Sequence, residues 1–413
     1  ELRVKRMTLD DVLVNLVVYE DEYFMNVLDL FGSRNEDDTD DKKKFDSKVH
    51  IEDFNLSKGH IVVWNQNKDK PEKLSMDYGH LDIDSIYMSA NSLSFVDGVI
   101  TGNLNNLSAA EKSGFVLDEF SSKSKFTVSS KGFEFKNLVL NSHETYLDLD
   151  LQFVYNNYRS FLTFVDSIMI IANIRPSQLT LSDLKYFSPT MGKMTDTLQI
   201  KGNITGTVTD FTANNFEFSF KDSTNFLGTI RMKGLPNFFE THIVGHVEKM
   251  NFTYQDISEF AIPTPDRKIP IPENLATLKN ALLSGEFYGF HNNFKTTFNL
   301  YTNLGNIFID GNLNNDLLTV STPNYKFTLY ANNLKVNDIV GMKNDMTLTL
   351  SADVSGEGFN KESADIDMNF EIDKFNFYGN EFKDFVITAN MCDQKIKAKT
   401  GIDSDLLKFD LDG

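Results

Sequence analysis

Residues 146–155 read YLDLDLQFVY, and their alternation decides the fold. Leu147, Leu149, Leu151, Phe153 and Tyr155 fall on one phase of a two-residue period, and Asp148, Asp150 and Gln152 fall on the other. A strand sends alternate residues to opposite faces, whereas a helix would spread the same set around its circumference. The logic recurs in NNFEFSFKD (214–222), which collects Phe216, Phe218 and Phe220. In DIDMNFEID (365–373) it sets Ile366, Met368, Phe370 and Ile372 against Asp365, Asp367 and Glu371. Residues 198–208, 298–309, 327–329 and 348–354 alternate in the same way.

Turn residues separate these runs at short intervals, among them Gly102, Asn105, Gly202, Gly228, Gly234, Asn293, Gly311, Asn315 and Gly379. Strand, turn and strand in succession predict an antiparallel meander with one wet face and one apolar face. At roughly 10 to 14 residues per strand and turn, about 30 strands spaced ~4.8 Å apart give a sheet on the order of 140 Å long. The apolar face is buried either in a closed sandwich or barrel or in a sheet curled into a trough, and periodicity leaves both open.

Composition agrees with an all-β reading. The chain carries 36 Phe and 14 Tyr but one Trp and 9 Pro, and aromatic residues suit a pleated, half-buried surface. A net charge of −19 opposes phosphate backbones and makes nucleic acid an improbable partner. A single cysteine, Cys392, excludes an intrachain disulfide framework. No run approaches the ~18 to 20 apolar residues of a spanning helix, and the start at Glu1 lacks the basic and apolar regions of a leader; it reads as a fragment whose anchor lies elsewhere.

Helical spacing is brief, at 22–31, 158–165, 182–187, 254–260 and 272–278, with Ser182 as a candidate N-cap and Pro189 as a stop. Helices this short need a surface to pack on, and lids over a sheet edge are their natural role. Four sections follow. Residues 1–49 form an N-terminal piece with a short helix and the mobile charged loop SRNEDDTDDKKKFDSK. Residues 50–261 form a β-section, 262–272 (IPTPDRKIPIP) a proline-rich crossover, and 273–413 a second β-section. KGNITG, LSGEFYG and LSADVSG share a small residue four positions before a Gly, which marks strand positions where no side chain fits. Their spacing is too uneven for a strict solenoid.

Signatures of catalysis are lacking. There is no G-x-S-x-G elbow, no phosphate-binding loop and no dinucleotide fingerprint. His242 and His246 (HIVGH) would share a helix face as metal ligands, but they lie in an alternating strand without the Glu of H-E-x-x-H. The pairs Asp148/Asp150, Asp365/Asp367 and Asp410/Asp412 occupy the polar phase of strands, where carboxylates keep a sheet soluble. The chain reads as a non-enzyme, without cofactor or metal.

At residues 174–206 (IRPSQLTLSDLKYFSPTMGKMTDTLQIKGNITG) the chain resembles the TamB/AsmA-like envelope proteins of diderm bacteria. A Leu-Ser-Asp-Leu…Phe-x-Pro element at 181–189 precedes a strand ending in Gly-x-Ile-x-Gly at 202–206. Similar pieces start at His80, Glu111 and Arg231, and again at IPIPENL. The resemblance implies a U-shaped β-taco with an apolar groove, periplasmic and anchored in the inner membrane, conducting phospholipids toward the outer membrane. It also implies a TamA-like outer-membrane barrel as partner of the parent protein. On that reading phospholipid acyl chains lie against Leu147, Leu149, Leu151, Phe153, Phe216, Phe218, Phe220, Ile366, Met368 and Phe370. A chaperone or scaffold that templates outer-membrane protein strands is the alternative, and an adhesin the third.

Overall fold

The computed structural model describes residues 1–21, 48–69, 76–187, 189–261, 271, 273–316, 320, 322–359, 364–392, 394–403 and 408–412. The molecule is mostly β, with 68% strand and 10% helix, in one large mixed sheet that is not closed into a barrel. Among the described residues the sheet has 24 strands, fewer than the sequence spacing suggests, because many strands run ten residues or more and helical connections intervene. Contacts divide the chain into two compact units. The first comprises Glu1–Asn214 with Leu235–Asn237 and Ala261, and the second most of the remainder. The proline-rich segment 262–272 lies outside the described residues except for Ile271.

In the first unit, β1 (Leu2–Asp10) and β2 (Leu13–Val18) lie end to end along β3 (Val49–Asn65), with Leu2 opposite Val49 and Leu13 opposite His60. Both run parallel to β3, a departure from the all-antiparallel expectation. Parallel neighbours need a long crossover, and the chain between Val18 and Val49 provides the length. The helix expected at 22–31 and the charged loop at 33–48, except for Lys48, lie outside the described residues. From β3 to β12 the pairings are antiparallel: β4 (Asp82–Val96), β5 (Val99–Glu111), the short β6 (Val116–Leu117), β7 (Glu119–Ser122) and β8 (Phe126–Ser129), then β9 (Gly132–Ser142), β10 (Thr145–Val154), β11 (Met169–Thr180) and β12 (Thr197–Gly206).

β13 (Asp210–Phe220) begins in the first unit and ends in the second. There follow β14 (Thr224–Lys233), β15 (His242–Phe252), β16 (Ala281–Phe290), β17 (Asn293–Thr302), β18 (Gly305–Asn314), β19 (Asn324–Lys335), β20 (Met346–Glu357), β21 (Asp365–Phe377), β22 (Asn380–Cys392), β23 (Lys395–Asp403) and β24 (Lys408–Asp412). From β14 to β24 each strand pairs antiparallel with the next.

The two-residue period does not run unbroken along these strands. At Phe135-Lys136-Asn137-Leu138, Val247-Glu248-Lys249-Met250, Ala331-Asn332-Asn333-Leu334 and Ile372-Asp373-Lys374-Phe375, two polar residues separate apolar ones, and the pairing register shifts at each. These are β-bulges, which consume one residue and so return the apolar set to the face it left. Asn137 and Asn333 take the left-handed conformation there (φ 50 and 54), which Asn tolerates better than most residues. The amide freed by the bulge finds a side chain on the next strand. Asn137 N–H donates to Asp150 Oδ1 at 2.8 Å, and Asn333 N–H donates to Thr349 Oγ1 at 3.1 Å.

Among the described residues helical connections follow β10, β11, β14, β15 and β19, and those after β11, β15 and β19 recur at every fourth strand. The turns Leu181–Tyr186 and Pro189–Lys193 follow β11, with Thr180 rather than Ser182 in the position before the first, and a new turn starting at Pro189. α1 (Phe164–Ser167) is the end of a helical segment begun at Tyr158. α2 (Tyr254–Glu259) is capped by Thr253, whose hydroxyl accepts from Asp256 N–H at 3.1 Å, and the 272–278 expectation shrinks to one turn, Glu273–Leu275. α3 (Val336–Val340), unsignalled by periodicity, follows β19 and ends on Gly341 in the left-handed conformation. The strands that follow the β11, β15 and β19 connections, namely β12, β16 and β20, are the three carrying the small-residue pattern. The loose repeat thus marks the first strand of a four-strand unit.

Glycines on these strands are seats for aromatic rings or backbone. A Cβ on Gly285 (φ +142) would sit 2.8 Å from Phe298 Cδ1, and one on Gly311 would sit 2.6 Å from Lys326 O and press into the Phe327 ring. Gly311→Ala is expected to destabilise the protein by about 1–3 kcal/mol through overpacking. Leu350→Ala, in the buried cluster of Ala331, Ala352, Ile372 and Phe385, is expected to cost about 2–5 kcal/mol. Urea denaturation of both variants checks these values; a wild-type midpoint for Gly311→Ala would refute the seat.

Candidate apolar binding face

Register converts single-strand alternation into rows that cross the sheet. In the second unit Val247, Gly285, Phe298, Ile309, Leu329, Ala352, Phe370 and Ile387 are successive partners on β15 to β22. A neighbouring row runs Gly245, Phe287, Thr296, Gly311, Phe327, Val354, Met368 and Ala389. A third runs Ile243, Gly289, Phe294, Leu313, Tyr325, Gly356, Ile366 and Met391. The one hydroxyl in the middle row, on Thr296, donates to Glu286 O at 2.9 Å and so offers the face no free donor.

These rows are only partly covered. Ala331, Leu350, Ile372 and Phe385 are buried toward the end of the strands where α3 sits. Phe287, Phe327, Val354, Met368 and Ile366 are half-buried, and Ile396, which continues the third row opposite Met391, is 65% exposed. The reverse face is polar. Thr297 donates to Asp310 at 2.6 Å, Thr328 to Asp353 at 2.6 Å and Asn390 to Asp367 at 2.9 Å, beside exposed Tyr288, Tyr301 and Tyr330.

Of the residues singled out by sequence, Ile366, Met368 and Phe370 lie in the three rows just described. Phe216, Phe218 and Phe220 belong to the same unit at β13: Phe218 stacks on Phe226 at 4.9 Å, and Phe220 is buried edge-on to Phe260 at 5.1 Å. Leu147, Leu149, Leu151 and Phe153 form rows of their own in the first unit. Phe153 lies between Phe133 and Ile170, Leu151 between Phe135 and Ala172, and Leu149 between Leu138 and Ile174; Leu147 faces Leu140. Phe161 and Phe164 of the helical segment after β10 pack on Phe133 and Phe153, on the apolar face of interior strands rather than over the sheet edge expected of short helices. The sequence selection passed over Phe298, Ile309, Leu329 and Ala352. Their alternation is legible, but only register shows that they extend the Phe370 row.

Polar residues hold the reverse face together. Arg175 Nε donates to Asp148 Oδ1 at 2.9 Å and Nη1 to Asp150 Oδ1 at 3.0 Å, so this carboxylate pair is bound across strands. The Asn137 amide, reinforced by Arg175, lowers the Asp150 pKa from its usual value against a smaller opposing effect of burial. His60 and then Lys112 lower that of Asp82. His242 and His246 lie on β15 as expected; His242 meets Tyr288 and Phe290 edge-on, and His246 pairs with Glu286 at 3.5 Å. Among the described residues no group of three or more His, Cys, Asp or Glu is arranged to hold a metal, and no helix is long and apolar enough to cross a membrane.

Compared with protein-family models, curated proteins and solved structures, the chain matches none.

A depressed folded pKa means that Asp150 contributes stability above its unfolded pKa of about 3.9 and loses it as pH falls through the lower folded value. Asp150→Asn is therefore expected to melt below wild type at pH 7, with the gap closing at pH values below the folded pKa. Thermal melts across pH 2 to 7 measure this, and a gap that persists undiminished in acid would contradict it.

Proposed function

We propose that the chain is a non-catalytic lipid conduit of the TamB/AsmA-like kind, in which acyl chains lie along the apolar rows while headgroups remain in water. The observation that carries this reading is the set of largely apolar rows across β15 to β22, in which the hydroxyls of Thr296 and Tyr325 are both spent on backbone carbonyls, of Glu286 and Gly358. Sliding needs such a featureless track, because a tight local site would halt transit. The alternation of the sheet supplies the rest, since a polar reverse face keeps the track soluble from behind.

On this reading the parent protein is periplasmic, anchored in the inner membrane, and meets a TamA-like barrel at the outer membrane. That placement follows from the resemblance at 174–206 and in the pieces that start at His80, Glu111, Arg231 and IPIPENL. Phospholipid is the cargo.

A charge on the track is the direct test. Met368 is half-buried between Val354 and Ala389 and lies outside the buried cluster. Met368→Asp places a carboxylate in the path of the chains, a desolvation barrier on the order of several kcal/mol. The 413-residue chain is expected to move fluorescent phospholipid between vesicles, and the variant to move it at least about tenfold more slowly, each 1.4 kcal/mol being a factor of ten. Equal transfer rates, with the variant folded by circular dichroism, would refute the reading. So would crosslinks to unfolded polypeptide in place of lipid.

A further inference from the structure

The first unit holds a cavity of about 380 Å³ that the rows do not account for. Its walls include Ile61, Ile83, Ile86, Leu107, Leu117 and Phe115, from β3, β4, β5, β6 and the β5–β6 turn. Met88 and Leu107 are cross-strand partners, as are Ala90 and Leu104, so the wall continues into the apolar face of β4 and β5. The chamber is therefore an end of that face that has been roofed over.

The roof is built from two connections. Met76 N–H donates to Tyr186 O at 2.9 Å, tying the approach to β4 to the turn after β11. Phe115 packs edge-on against Tyr186 at 5.7 Å and Phe187 at 5.6 Å, and the Tyr186 hydroxyl lies 3.2 Å from His143 Nε2. Phe187 lines the cavity yet is 43% exposed, which puts it at the mouth. The one carboxylate on the wall, Glu111, accepts from Ser113 N–H at 2.7 Å and Asp82 N–H at 3.3 Å and so is already engaged.

Apolar cavities hydrate poorly and accept apolar guests, and this one falls in the size range of ligand pockets. Its walls offer hydrocarbon contact over nearly their whole area, which suits a chain and not a headgroup. We propose that this chamber binds a single acyl chain of a lipid, with the headgroup outside at Phe187. This deepens the conduit reading and rests on it: the chamber is a holding site at one end of an apolar face.

The chain's single tryptophan, Trp64, lies three residues from Ile61 and reports occupancy without labelling. The 413-residue chain is titrated with 11-(dansylamino)undecanoic acid, exciting Trp64 and reading sensitised dansyl emission. A saturable one-to-one component is expected. Ala109→Phe fills the chamber and should weaken that component at least about tenfold, Ala109→Leu should weaken it less, and Met368→Asp should leave it unchanged. Circular dichroism confirms that each variant is folded. Wild-type affinity in both folded Ala109 variants would overturn the chamber, as would loss of the component in Met368→Asp. Lauroyl lysophosphatidylcholine should displace the probe; displacement by laurate alone would replace the lipid chain with a free fatty acid and overturn the assignment. If both Ala109 variants keep wild-type affinity, phospholipid transfer by the unmutated chain leaves the conduit reading standing while the chamber fails, so the two are judged separately.

Discussion

A strand displaced by one residue turns its whole apolar set to the other side of the sheet, and the structure depends on that constraint being met at every pairing. Across β15 to β22 the partners Val247, Gly285, Phe298, Ile309, Leu329, Ala352, Phe370 and Ile387 hold a common face through seven successive ladders. One slip anywhere would set an apolar row against a charged one such as Asp310 or Asp353. Bulges at Val247–Met250, Ala331–Leu334 and Ile372–Phe375 absorb the phase errors that such slips would otherwise produce.

Much of the fold was legible because this constraint writes itself into sequence. The run at 147–153 and the run at 366–372 alternate without error, and both are strands whose faces carry the residues expected. The bulges were not legible by the same rule, since a strict two-residue period reads Asn332-Asn333 or Asp373-Lys374 as the end of a strand. The signal that finds them is two polar residues between apolar ones within an otherwise alternating run. α3 escaped because Val336–Val340 is a single short helix whose stability comes from packing. The parallel pairing of β1 and β2 with β3 has no local signature at all, because nothing in LRVKRMTLD specifies the direction of its neighbour.

The candidate site was half legible for a related reason. Alternation identifies which residues of a strand face together, as with Ile366, Met368 and Phe370, but not which residues of other strands continue their rows. Glycine shows the difference. Gly311 reads as a turn in one dimension but lies within β18 as a hollow that receives Phe327, whereas Gly285, read as a strand position where no side chain fits, is such a position and receives Phe298. Small residues thus sit beside large ones across strands, and the aromatic rings fill the hollows that the glycines leave. Rows of this kind suit a surface over which a chain moves, and the roofed chamber beneath Phe187 suits one in which a chain rests.

The central claim is that acyl chains contact one face of this sheet and not the other. Val354 and Ser355 are adjacent on β20 and point to opposite faces, half-buried and exposed respectively. A photo-crosslinking amino acid placed at each in turn, with the protein in contact with phospholipid vesicles, measures the claim directly. Lipid adducts at position 354 and none at 355 are predicted. Equal labelling at both positions, or polypeptide adducts at 354, would contradict it.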